Sequence, residues 1–123
     1  QWASVAALEG DQECVRKMAE IFEDRSKYVL SRLSKLPGVT CPSPAGAFYV
    51  FPNISHYYGK QHDGRTVTNS LDMAEFLMEK AHCAVVPGSA FGEDRCVRFS
   101  YALSLDELKE GFDRIENALK MLS

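Results

Sequence analysis

The run Cys96-Val97-Arg98-Phe99-Ser100-Tyr101-Ala102 sets one guanidinium inside a strand-like segment. Alternation places Val97, Phe99 and Tyr101 on one face and Cys96, Arg98, Ser100 and Ala102 on the other. Apart from Arg98, the second face carries only short side chains. Either that face looks at water and Arg98 is solvated, or the short neighbours leave room for an anion. A guanidinium is planar, always charged, and meets a carboxylate through two parallel charge-assisted hydrogen bonds. Most arginines are solvated, so the strand taken alone favours the first reading.

Other reactive residue types are present without a reactive pattern. Cys14, Cys41, Cys83 and Cys96 are dispersed and form no C-x-x-C pair, so reduced and mostly buried thiols are expected. His56, His62 and His82 lack a metal-ligand spacing, so no metal site is expected. Ser34-Lys35 could pass for part of a Schiff-base lysine signature. It falls in the last turn of an amphipathic helix, where a lysine favours the helix dipole. Gly88 and Gly92 bracket GSAFG, which is neither G-x-G-x-x-G nor a P-loop, so a turn between two strands is predicted there. No Ser-His-Asp or Cys-His arrangement can be argued from spacing.

These residues must be held by a small number of elements. The 123 residues suit one domain, with 46% hydrophobic and 25% charged residues and a net charge of -3. No basic run stands out, which argues against nucleic acid or an anionic membrane as partner, and no apolar stretch approaches the length of a membrane span. Reduced thiols point to an intracellular compartment, cytoplasmic or organellar, and not to secretion. The chain opens on Gln1 in a segment that already reads as helical, so a piece of a longer protein is expected.

QWASVAALEG predicts a short helix ended by Gly10. Asp11 can cap a long helix to about Leu36, with a stripe of Val15, Met18, Phe22, Val29, Leu33 and Leu36. A short edge strand is expected over 39–41 and a well-buried strand over 47–53. The polar segment from Asn53 to Ser70 has no evident apolar anchor and is expected to be the most mobile internal segment. SLDMAEFLMEKAH predicts a helix with Asp72 and Glu75 as a capping box. CAVVPG predicts a short apolar strand, followed by the strand that holds Arg98. The last helix begins at Ser104 with Glu107 completing an S-x-x-E box, and its stripe is Leu105, Leu108, Phe112, Ile115, Leu119 and Leu122. The order α-α-β-β-α-β-β-α predicts an α+β fold: a small mixed or antiparallel sheet of three to four strands packed against helices. One domain is expected, with a helical lead-in and long helix over 1–36 and the remainder over 37–123.

Four segments taken together carry a resemblance: PSPAGAFYVFPNI, AVVPGSAFG, CVRFSYALSLDELKEGFDRIENAL and the opening QWASVAALEG. In this order and spacing they resemble the C-terminal part of class I/II aminotransferases, most closely the bacterial and plant-plastid type of aspartate aminotransferase. The resemblance covers essentially the whole chain, and its strongest elements are P-x-G-A-F-Y, V-x-P-G-x-x-F-G and R-x-S-Y-A. It implies the small domain of a fold type I pyridoxal phosphate enzyme, with the helix that leads into it. It implies that Arg98 binds the α-carboxylate of the substrate. It also implies that GAFY runs along the active-site edge, with Phe48 either facing substrate or packing in the core. Pyridoxal 5'-phosphate as cofactor, amino-acid and 2-oxo-acid substrates, a large domain outside these residues and a homodimer are implied in the same way. The family's catalytic lysine, the aspartate that partners the pyridine nitrogen and the phosphate-binding residues all lie upstream of the matching region. No catalytic or cofactor-binding residue is therefore expected in this chain, and by itself it is expected to be inactive. Two alternatives share part of this reading: a lyase, decarboxylase or synthase of the same fold type, and a non-catalytic interaction module.

Overall fold

The computed structural model describes residues 1–123. Helix α1 (Trp2–Glu9) is apolar on most sides and buries none of its residues; Trp2 is 89% exposed. Its helical ladder stops at Gly10. The Asp11 carboxylate accepts the amide of Glu13 (2.9 Å), and α2 runs from Glu13 to Leu33. The amides of Lys35 and Leu36 then bond three residues back, which tightens the chain as it passes Leu36. Only the second half of α2 enters the core, through Val29 and Leu33. Val15 and Met18, expected in the same stripe, are exposed with Ile21, so the first half of α2 extends the bare apolar ridge of α1.

The sheet has three antiparallel strands in the order β1 (Tyr49–Val50), β5 (Val97–Ser100), β4 (Val86–Pro87). Tyr49 pairs with Ser100, Val50 with Phe99, Val86 with Arg98 and Pro87 with Val97. The strands are shorter than expected because Pro52 has no amide to donate and Pro87 closes β4. The edge strand expected over 39–41 is a single bridge, Thr40 to Asn53. Within the 47–53 segment only Val50 and Pro52 are buried; Phe48 and Tyr49 are exposed.

The segment between Asn53 and Ser70 differs most from expectation. It contains a 3₁₀ turn at Ser55–Tyr57 and a hairpin of β2 (Gln61–His62) and β3 (Arg65–Thr66). The hairpin turn is Asp63-Gly64, both with positive φ, the pairing that a two-residue turn of this hand requires. Ile54, Tyr57 and Val67 anchor the segment in the core, and Gln61 exchanges two backbone hydrogen bonds with Ser123.

Helix α3 (Ser70–Ala81) is capped by Asn69, whose side chain accepts the Asp72 amide (2.9 Å). The Asp72 carboxylate in turn accepts the Thr68 amide (2.8 Å), so the expected Asp72–Glu75 box is displaced toward the N-terminus. Ser104 caps α4 (Leu105–Leu119) with the reciprocal box expected with Glu107. Leu108, Phe112, Ile115, Leu119 and Leu122 are buried, and Leu105 is exposed.

Helices α2 and α4 cover one face of the sheet. Phe112 stacks on Phe99 (6.2 Å between ring centres) and Phe22 sits 6.1 Å from Tyr101. Arg32 fastens the two helices together. Its guanidinium donates to Asp113 (2.7 Å), Glu116 (2.8 Å) and the Tyr28 hydroxyl (2.7 Å). The fold is α+β, with a small antiparallel sheet packed against helices, as the element order predicts.

Candidate functional site: an arginine on the open face of the sheet

Val97, Phe99 and Tyr101 are buried under the helices, so β5 alternation turns Arg98 and Ser100 to the opposite, uncovered face. Val86, paired with Arg98, and Tyr49, paired with Ser100, share that face. The Arg98 guanidinium lies 5.4 Å from the centre of the Tyr49 ring and 4.9 Å from that of Phe91. Five of the seven arginines are ion-paired within the chain: Arg16, Arg32, Arg65, Arg95 and Arg114. Arg98 has no carboxylate partner and is only partly buried. Arg25 also lacks an ion pair, but it packs over the single ring of Phe22.

Local structure fixes this arrangement. The connection from β4 to β5 is a 3₁₀ turn over Gly88–Phe91 that ends at Gly92 with φ of 79°. Gly88 donates to the Cys96 carbonyl (2.9 Å), and a Cβ on Gly88 would collide with the carbonyl oxygens of Glu93 and Cys96. The two glycines therefore serve different needs: Gly88 gives close approach and Gly92 gives left-handed backbone. Ser70, fully buried, ties this turn to α3. Its hydroxyl donates to Asp94 (2.6 Å) and accepts the Ser89 amide (3.1 Å). Phe91 then rests edge-on against Phe51 at 5.9 Å. Beyond the turn, Glu93 is held to about 2, well below its usual value, by hydrogen bonds from the Arg95 side chain and amide.

Arg98 stands where the alternation places it. Its predicted neighbour Cys96 is buried rather than open, and burial pushes its thiol above the usual range. Arg98 therefore shares its face with Ser100 and the two rings. Phe48 is 53% exposed, and its position one residue before Tyr49 puts it on the helix-facing side of β1. Its carbonyl accepts the Tyr101 amide (2.8 Å). Its ring borders a groove of about 680 Å³ with Val15, Met18, Phe22, Pro44 and Tyr101. Arg98 and Phe48 thus lie on opposite sides of the sheet, connected through Tyr49, which Phe48 meets edge-on at 5.7 Å. Sequence reasoning places Tyr49 only within the GAFY edge and does not single out Phe91; the structure brings both rings to Arg98. Their relation to Arg98 depends on strand register and on a turn, neither of which a local motif reveals.

The seven lysines all lie at the surface; none is buried. No helix is long and apolar enough to cross a membrane.

The sequence profile of the family described as aminotransferase class I and II matches residues 1–115. An aspartate aminotransferase of Pinus pinaster is 42% identical over 99% of this chain and 26% of its own length. Among solved structures, the aspartate aminotransferase of Rhizobium meliloti superposes with a TM-score of 0.93 at 42% identity, over 98% of this chain and 30% of its own. An alanine aminotransferase of Pyrococcus furiosus gives a TM-score of 0.84 at 28% identity, over 96% of this chain and 28% of its own. The chain thus spans under a third of the length of these proteins. The match runs through the α1 ridge, the GAFY strand, the Gly88 turn and the Arg98 strand alike, and by it the chain belongs to the class I and II aminotransferase family.

Proposed function

We propose that the full-length protein containing this chain is a pyridoxal phosphate-dependent transaminase. It would move an amino group between an amino acid and a 2-oxo acid, with Arg98 binding the substrate α-carboxylate. The observation that carries the assignment to Arg98 is a guanidinium held on an open face with no carboxylate of its own chain. Two parallel hydrogen bonds from such a group fix the carboxylate, and with it the direction of the Cα–H bond. Phe48 would border the site from the far side of β1, through Tyr49.

The residues present do not fit the cofactor. Schiff-base chemistry needs a lysine in a shielded position. Here Lys17, Lys27 and Lys109 are at least half exposed, and hydrogen bonds donated to the carboxylates of Glu23 and Asp106 hold the Lys27 and Lys109 ammonium groups above their usual value. The cofactor would be held by the large domain of the full-length protein, and the bare ridge of Trp2, Leu8, Val15 and Met18 is the surface we assign to contact with it. A homodimer and an intracellular compartment, cytoplasmic or organellar, belong to the same reading, as do four unpaired thiols. Aspartate is the amino acid named for the Pinus pinaster and Rhizobium meliloti relatives; alanine is named for a structural neighbour of the same shape. The α-carboxylate is the part those substrates share.

The test is Arg98→Lys in the full-length enzyme. Lysine keeps the charge and loses the two-pronged geometry. A charge-assisted hydrogen bond contributes about 1.5–3 kcal/mol, so kcat/KM should fall at least about tenfold for an acidic and a neutral amino acid alike. Cofactor absorbance should stay the same. Unchanged kcat/KM for both substrates would return Arg98 to an ordinary solvated arginine.

A further inference from the structure

The guanidinium of Arg98 is held in place without occupying any of its hydrogen-bond donors. Arg32 shows the usual alternative: Asp113, Glu116 and Tyr28 orient it and use up its N–H groups. Arg95 is likewise occupied by Glu93. Such arginines are well placed but closed to an incoming anion. At Arg98 the orienting groups are instead two aromatic rings, both within the roughly 6 Å at which a cation is attracted to a ring face.

We infer that Tyr49 and Phe91 form an aromatic clamp that positions Arg98 for the carboxylate of a small amino or oxo acid. This rests on the carboxylate-binding role proposed for Arg98. The two jaws come from different parts of the fold. Tyr49 belongs to β1 and is set by its pairing with Ser100. Phe91 belongs to the β4–β5 connection and is set by Gly88, Gly92, the Ser70–Ser89 hydrogen bond and the Phe51 ring. Arg98 lies on the strand between them, and the clamp restrains its long side chain while leaving the N–H edge free. Restricting the guanidinium before the anion arrives lowers the ordering cost of binding. Both rings are partly exposed, Phe91 at 51% and Tyr49 at 39%, so neither is required as core filling.

The experiment uses the full-length enzyme with aspartate and alanine as amino donors. Phe91→Leu and Tyr49→Leu remove one ring each. Phe91→Tyr and Tyr49→Phe keep the ring and serve as controls, and Arg98→Lys is the reference. Each leucine variant should raise KM for both donors by about tenfold, more than it lowers kcat, while the ring-keeping variants match the parent. If a leucine variant does not fold, Phe91→Met or Tyr49→Met takes its place with the same expectation. Equal losses in Phe91→Leu and Phe91→Tyr, or unchanged KM in both ring-removing variants while Arg98→Lys raises it, overturn the clamp and leave the carboxylate role intact. An unchanged Arg98→Lys enzyme overturns the role itself.

Discussion

Thiol reactivity follows access and thiolate fraction. Cys14 lies exposed on α2, whereas burial pushes the thiols of Cys41, Cys83 and Cys96 above their usual range. Cys14 should therefore be alkylated first by iodoacetamide at neutral pH, the half-buried Cys41 and Cys83 more slowly and the buried Cys96 last. Peptide mapping by mass spectrometry checks this, and simultaneous labelling of all four would contradict the described burial. The same residues show where single-residue reasoning works. Arg98 was legible, because period-2 alternation with three large apolar partners leaves it one direction to face. Cys96 has the same parity, yet it is buried. Alternation assigns a face to a residue but not what the next segment lays upon it. Cys14 is exposed together with its α2 neighbours Val15 and Met18.

Among the elements, α4 has the most complete start. The Glu107 carboxylate accepts from the Ser104 amide (2.9 Å) and hydroxyl (2.6 Å), and Ser104 accepts the Glu107 amide. Ser104→Ala should lower unfolding stability by about 1 kcal/mol, the usual cost of losing such a cap. The Ser104 side chain and amide hold the Glu107 carboxyl below its usual value of 4.5. A depressed folded-state pKa gives stability that is present above the unfolded value and is lost as pH falls through the folded one. Glu107→Gln should thus cost stability at pH 7 and progressively less as the pH drops below about 4.5. Denaturant titrations at several pH values check both statements. This box was legible because its partners sit three residues apart beside a strong stripe. The cap of α3 was misplaced because Asp72 points back to Thr68 and leaves the capping position to Asn69. The β2–β3 hairpin escaped notice although Asp63-Gly64 is a strong turn signal. Its strands, Gln61-His62 and Arg65-Thr66, are polar and offer no apolar alternation to read.

Across the whole molecule, the join between α2 and α4 holds the helical layer over the sheet, and Arg32 is its polar centre with a side chain only 13% exposed. Arg32→Ala should lower stability by about 2 kcal/mol, because it strips Glu116 and Tyr28 of their donor in a partly buried site; Asp113, largely exposed, can return to water. Chemical unfolding checks this, and a change within about 0.5 kcal/mol would make the contact a dispensable surface pair. The antiparallel sheet and its helical cover were legible from element order, whereas the bare second face was not, since nothing in a single strand says whether another layer lies above it. That bare face has a kinetic consequence. An arginine locked to a carboxylate must release it before it can take another, and the release adds a barrier to capture. Arg98 has nothing to release. An anion reaching it breaks no bond in the protein, so its arrival would be limited by encounter, on a molecule whose net charge of -3 opposes it only weakly once salt confines such fields to about 8 Å.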